Sequence, residues 1–512
     1  MHPAIHAVNK PDKSAYVMAE TGEVVTYGQL NDRSNQCAQL FRSLGVQVGD
    51  HIAMLMENHA RYLELCWGAQ RAGLIFTAIS THASQEEATY ILDNCDAVLL
   101  ITSRRVADLA RAACAGATRV THRLMIDGTG DGFLSYESLR DQQPAQAIAD
   151  ECAGIDMLYS SGTTGRPKGV AVEYDRKDIT SLLPALRGLS AMFQFSESMV
   201  YLSTAPLYHA APLRFNMLVM FQGGTAIVME RFDAARALEL VRIHRITHSQ
   251  WVPIMFSRML ALPATLRDQT DVTSMKYAIH AAAPCPVAIK QAMMDWWGPV
   301  IYEYYGSTEA IGISVITPAE WLTHKGSVGK AIVGRARIVD EDTGWEVPRG
   351  QTGTLYFSDG PSVSYHRDPE KTASIRNKKG WYTVGDIGHL DDDGYIYLTD
   401  RQAFVIISGG VNIYPQETEH ALMNHPKVAD VAVFGIPNQE FGEEVKAVVQ
   451  LRDHREASAG LASELILYCR EHLSHIKCPR TIEFMESLPR LDNGKLYKQK
   501  LKQRFIAAGL ST

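Results

Sequence analysis

Residues 26–56 read TYGQLNDRSNQCAQLFRSLGVQVGDHIAMLM, and two different periods meet inside them. Thr26 with Gln29 three positions on is a capping box, in which side chains and backbone satisfy each other at the start of a helix. Leu30, Cys37, Phe41 and Leu44 then recur at helical spacing until Gly45 ends the run. HIAMLM is short, apolar and without alternation, as a buried strand is. Downstream the pattern repeats, with a helical stretch around Ala60 to Ala72, then LIFTAIS, a further helix and AVLLIT. Strands alternating with helices predict an α/β fold with a largely parallel sheet.

At 512 residues the chain is too long for one core, so more than one domain is expected. Hydrophobic residues at 46% and charged residues at 21% are those of an ordinary water-soluble protein. The net charge of −7 disfavours a nucleic-acid-binding surface. Eight cysteines are scattered without a close CxxC pair, which predicts neither a zinc site nor a disulfide framework and fits a reducing compartment. The opening MHPAIHAVNKPDK lacks the basic-then-apolar order of a secretion signal, and no stretch approaches the ~20 apolar residues of a membrane span. A cytoplasmic protein with no membrane span is expected.

Near Gly334 the character changes. RARIVDEDTGWEVPRGQTGTLYFS predicts short strands joined by turns, a β-rich subdomain within a large N-terminal α/β domain spanning 1–400. After Asp400 follows a compact run of about a hundred residues. A helix after Pro415, strands at VADVAVFGI and EVKAVVQL, a helix near Ser463 to Ser474 and a strand at TIEFME make a small α+β C-terminal domain, 401–512.

The stretch from Tyr159 to Val170, YSSGTTGRPKGV, packs Gly162, Gly165 and Gly169 among Ser160, Ser161, Thr163 and Thr164, with Lys168 near its end. Glycines let backbone N–H groups turn into a shared hollow, and hydroxyls and an ammonium add donors, which is the chemistry of a phosphate cradle. The common nucleotide loop, GxxxxGK followed by Ser or Thr, is absent. On its own the loop also reads, less readily, as a Gly- and Ser-rich surface turn with no ligand.

With four later segments in order it resembles the adenylate-forming superfamily, specifically the acyl-CoA synthetases that activate fatty and aryl acids. Those segments are YYGSTEA (304–310), YTVGDIG (382–388), DRQAFVIISGGVNIYPQE (400–417) and LPRLDNGK (488–495). The resemblance covers essentially the whole chain and implies ATP, Mg²⁺ and CoA as reaction partners, with a small-molecule carboxylic acid as substrate. It implies that Ser161, Gly162, Thr163, Thr164, Gly165 and Lys168 wrap the β- and γ-phosphates. Tyr305 would stack on adenine beside Gly306 and Ser307, Thr308 would donate to phosphate, and Glu309 would hold Mg²⁺, a hard cation that prefers oxygen ligands. Asp386 and Arg401 would sit at the ribose.

Lys495 would bridge the attacking carboxylate and the α-phosphate. The small domain would then rotate, withdraw the lysine and present Ser408, Gly409 and Gly410 beside a pantetheine tunnel. The pivot position two residues after the arginine is usually Asp or Lys in this family, whereas this chain has Ala403. His209 matches a group that gates the carboxylate site, and Trp251, Val252, Met255, Ala281, Ala282 and Ala283 are candidate acyl-pocket residues. LYHAAPLRF has no acidic residue to hold a substrate ammonium, which favours an uncharged, mostly apolar acyl group. Transfer to a separate carrier protein, oxidative chemistry of the luciferase type, a non-catalytic binding role and a homodimer all stay open at this level.

Overall fold

The computed structural model describes residues 2–130, 132–160, 166–171, 174–182, 184–490 and 496–509, without the side chains of 499 and 507–509. The chain gathers into two compact units. One comprises Met1–Trp251, Ala261–Ile279 and Ser362–Ser374, the other Val252–Leu260, His280–Pro361 and Ile375–Thr512.

In the first unit six parallel strands stand in the order Leu134–Ser135, His122–Ile126, Leu99–Ser103, His51–Leu55, Ile75–Ile79 and Ile155–Asp156. HIAMLM supplies His51–Leu55 inside this sheet, and Ile52, Ala53, Met54 and Leu55 are all fully buried. A parallel strand covered on both faces has no polar positions to alternate, which is why the run is unbroken. The capping box forms as expected, with Gln29 N donating to Thr26 Oγ1 at 3.2 Å and Thr26 N donating to Gln29 Oε1 at 3.1 Å. The helix Tyr27–Ser43 that follows buries Leu30, Cys37 and Phe41. It meets the helix Tyr62–Arg71 at Gly68, where a Cβ would come within 2.5 Å of Cys37 Sγ, so their closest approach depends on a missing side chain.

A second sheet of the same unit runs His248–Trp251, Val200–Ser203, Thr225–Val228 and Ser14–Met18 in parallel. The antiparallel strand Val24–Thr26 lies at its edge.

The second unit is antiparallel by comparison. Ile301–Gly306, Ile313–Ile316 and Lys330–Val333 form one meander. Arg335–Val339, Gly353–Ser358, Asp386–Leu390 and Ile396–Arg401 form a four-stranded antiparallel sheet, the β-rich region expected near Gly334. After residue 401 a further sheet orders Val411–Ile413, Ile406–Ser408, Gly442–Leu451 and Val428–Asn438, with Thr481–Phe484 parallel to Gly442–Leu451.

The helices Pro415–Met423 and Ala459–His472 pack on this last sheet around a core that includes Ile413, Leu422, Val433, Val449, Leu465 and Cys469. The second helix starts at Ala459, ahead of the Ser463 expected. Ser458 caps it by accepting from Leu461 N at 3.2 Å, and the small Ala459 and Gly460 hide the helical period at its beginning. All eight cysteines are free. Among the described residues no helix is long and apolar enough to cross a membrane.

Candidate active site

Residues 161–165 of the glycine-rich stretch, hence Ser161, Gly162, Thr163, Thr164 and Gly165, lie outside the described residues, and so does Lys495. What is described is how the first of these segments is held. Tyr159–Ser160 and Lys168–Gly169 pair antiparallel, Lys168 opposite Ser160 and Gly169 opposite Tyr159. A Cβ on Gly169 would lie 2.9 Å from the Tyr159 ring, so the pairing requires glycine there. Tyr159 Oη donates to Asn94 Oδ1 at 2.5 Å. On the other limb Gly169 O accepts from His366 N at 2.8 Å, and Ala171 N donates to Ser364 O at 2.9 Å. The Lys168 ammonium lies 5.7 Å from the centre of the Tyr365 ring, a cation–π distance that orients it without neutralising it.

YYGSTEA occupies the strand Ile301–Gly306 and the turn after it. In that turn Ala310 N donates to Ser307 O at 3.0 Å and Ala310 takes φ +52°. The Ser307 hydroxyl is buried with no hydrogen-bond partner among the described residues, and Glu309 is buried. Thr308 stands between them, half-buried.

Tyr305 Oη donates to one oxygen of Asp386, and the other oxygen accepts from Arg401 Nε at 2.9 Å. Asp386 and Arg401 face each other in register across their hairpin, so the strand pairing itself delivers the guanidinium to the carboxylate. Burial, reinforced by the Asp386 carboxylate, pushes the Tyr305 phenol far above its ordinary range. Asp386 in turn holds the Arg401 guanidinium firmly protonated. The Tyr305 ring lies parallel to Phe357, centroids 6.3 Å apart. Three residues that the sequence placed around one nucleoside are thus joined in one hydrogen-bonded constellation. The phenol–carboxylate bond had no signal in the sequence, because it spans 81 positions.

Mg²⁺ keeps phosphate oxygens and water in its shell and takes one or two carboxylates from a protein, so a single buried Glu309 fits it. Among the described residues no group of three or more His, Cys, Asp or Glu is placed to hold a metal ion without such help.

The acyl-pocket candidates divide between the units. In the first, His209 precedes the helix Ala210–Phe221 and meets the Tyr208 ring edge-on at 4.7 Å. Trp251 is buried at the end of its strand, its indole N–H donating to Ser249 Oγ at 2.6 Å. In the second, Val252 and Met255 are buried at the start of a helix, and Ala281–Ala283 form a bend in which Ala282 takes φ +75°.

Ser408, Gly409 and Gly410 form the turn between Ile406–Ser408 and Val411–Ile413. Gly409 at φ +58° and Gly410 at φ +79° are the two left-handed residues of the tight hairpin turn that matches strand twist. Both glycines therefore have a reason in the fold. Ala403 lies exposed in the short 3₁₀ turn Gln402–Phe404.

The hydrogen-bonded Tyr305–Asp386–Arg401 constellation and the small mixed-sheet terminal domain belong to an adenylate-forming enzyme. The chain belongs to the AMP-binding enzyme family, whose model matches residues 4–365, and the model of the family's C-terminal domain matches residues 417–495. It is 30% identical over 507 residues to a long-chain-fatty-acid–CoA ligase, FadD13, of Mycobacterium tuberculosis, covering 98% of this chain and 97% of that protein. It is 31% identical to a feruloyl-CoA synthase of an Amycolatopsis species, with 94% of each covered. Among solved structures, ATP-bound MatB from Rhodopseudomonas palustris superposes with a TM-score of 0.82 at 27% identity, covering 99% of this chain and 100% of that one. The chain is an ATP-dependent, AMP-forming acyl-CoA ligase.

Proposed function

We propose that the chain converts a mostly apolar carboxylic acid to its CoA thioester in two half-reactions served by two conformations. The division of labour falls between residues 1–400, which bind ATP and the acid, and 401–512, which carry Lys495. In the first half-reaction the acid's carboxylate oxygen attacks the α-phosphorus of ATP. The bond to the β-phosphate oxygen breaks, and acyl-AMP and pyrophosphate form. Two anions must approach, and the Lys495 ammonium offsets that repulsion where charge accumulates, an effect commonly worth ~3–4 kcal/mol in the transition state.

Thr163, Thr164 and Lys168 receive the departing phosphates, and Asp386 with Arg401 fixes the ribose. Glu309 would hold Mg²⁺, which when bound would neutralise phosphate charge. In the second half-reaction the CoA thiol attacks the acyl carbon past Ser408–Gly410 and AMP leaves. The acid carries a long-chain or aryl acyl group, for which His209 and the apolar Trp251, Val252, Met255 and Ala281–Ala283 are the candidate contacts. The setting is the cytoplasm, where ATP and CoA are both at hand.

The single observation that supports this most is the Tyr305–Asp386–Arg401 constellation, since it presents an aromatic ring and a carboxylate together, as a nucleoside demands. The test separates the half-reactions. Lys495→Ala is expected to abolish acyl-AMP formation, read as pyrophosphate release, while thioester formation from supplied acyl-AMP and CoA continues. Equal loss of both would refute the two-conformation account.

A further inference from the structure

The polypeptide on either side of the segment carrying Lys495 is tied down by several polar contacts. On the entry side the Arg490 guanidinium grips Asp430, its Nε 2.6 Å from one carboxylate oxygen and a terminal nitrogen 2.5 Å from the other. Asp430 sits on the strand Val428–Asn438, is 5% exposed, and also accepts from Val431 N at 2.9 Å. Leu488 N donates to Gln450 Oε1 on the neighbouring strand at 3.2 Å.

On the exit side Leu496 faces Arg490 as an antiparallel bridge, and Tyr497 N donates to Pro489 O at 2.9 Å. The Lys498 ammonium then pairs with Glu419 at 2.7 Å, and Glu419 is itself fixed by Val433 N at 2.7 Å. Leu488 and Leu501 close the arrangement from below, packed with Ala432, Phe434 and Val448.

Covalent geometry carries this to the lysine. Lys495 is bonded directly to Leu496, which pairs with Arg490 across the bridge. A two-toothed arginine–carboxylate contact fixes direction as well as distance, which a point charge does not. Such a pair, largely desolvated, contributes little net stability compared with apolar residues of the same volume, so its use here is geometric.

We propose that the Asp430–Arg490 pair is a positioning device for Lys495, acting in adenylation and silent in thioester formation. The inference rests on the role given to Lys495 above. A lysine displaced by about 1 Å loses rate by up to about 100-fold without any change in what binds.

The test uses the full-length enzyme with Asp430→Asn, Arg490→Lys and the apolar double variant Asp430→Leu/Arg490→Met. Pyrophosphate release and thioester formation from supplied acyl-AMP are measured separately, alongside thermal unfolding. In all three the adenylation kcat is expected to fall by roughly 10- to 100-fold, with KM for ATP and for the acid within about twofold of wild type. Thioester formation is expected to hold, and the double variant to unfold near the wild-type temperature.

A merely structural pair would behave otherwise. Loss of both half-reactions together, or wild-type adenylation in the well-packed double variant, overturns the proposal. Lys495→Ala in the same assay keeps the two claims apart. Normal adenylation there defeats the role of the lysine, and this inference with it, whereas slow Lys495→Ala with unimpaired Asp430→Asn and Arg490→Lys defeats the positioning pair alone.

Discussion

Lowering the pH from 7 to 5 should cost the first unit about 2 kcal/mol through one side chain, His248. Its ring is 4% exposed, in the strand that ends at Trp251. Nε2 lies 2.9 Å from the Phe193 carbonyl, which can only accept, so Nε2 carries the proton. Nδ1, 2.7 Å from Thr247 Oγ1, then accepts from that hydroxyl, and the neutral ring is satisfied on both sides. It stacks on Tyr277 at 4.9 Å. Burial, with Lys276 nearby, lowers its pKa from 6.5 to about 4, against the opposing pull of the Phe193 carbonyl.

The sign follows from the depressed value. Above pH 6.5 neither folded nor unfolded protein binds this proton, and the full stability is present. Below it the unfolded chain takes up a proton that the folded chain refuses until the pH nears its own lower value, so stability falls with pH. pH 5 lies about 1.5 units below the ordinary value, and each unit is worth about 1.36 kcal/mol. The assay is urea unfolding at both pH values for wild type and for His248→Gln. Other buried imidazoles, His2 and His280, are depressed in the same way and cancel in the comparison. The wild type should lose about 2 kcal/mol more than the variant. Equal losses would refute the assignment of a neutral, fully satisfied ring.

Two further outcomes are expected. Asp386→Asn should raise KM for ATP by roughly 10- to 100-fold while leaving that for the acid nearly unchanged, since hydrogen bonds to a charged group are worth about 1.5–3 kcal/mol; steady-state pyrophosphate release reads this, and an unaltered KM for ATP would remove Asp386 from the nucleoside. Gly329→Ala should destabilise the protein by about 2–4 kcal/mol. There φ is +94° and a Cβ would meet the Val315 carbonyl oxygen at 2.0 Å, so an unchanged unfolding temperature would contradict the backbone placement.

What could be read in advance was what short-range periodicity controls. HIAMLM, the capping box at Thr26 and the strands VADVAVFGI and EVKAVVQL each declare themselves within a dozen residues. For the candidate site the sequence supplied residues but no contacts. Asp386 reads as a turn residue until its hairpin pairs it with Arg401, and Tyr305 reads as an aromatic of uncertain face until its hydroxyl meets that carboxylate. Asp430 gave no signal at all, because its partner Arg490 lies 60 positions away and an acid in a strand is otherwise unremarked. The two compact units exchange short pieces, 252–260 and 362–374, for the same reason: chain order records neighbours along the polypeptide, while compactness depends on neighbours across it.

The paired left-handed glycines at 409 and 410 leave little freedom to retune this turn, which the proposed function sets beside the CoA thiol. Any side chain at either position works against the hairpin itself. Phe441 is under no such restriction, yet its carbonyl holds Gly409 N at 2.8 Å and its ring lies 3.3 Å from where a Cβ on that glycine would be. On the proposed path of the CoA thiol, variation in which thiol is admitted is to be sought at the aromatic position that braces the turn, with the turn itself kept constant.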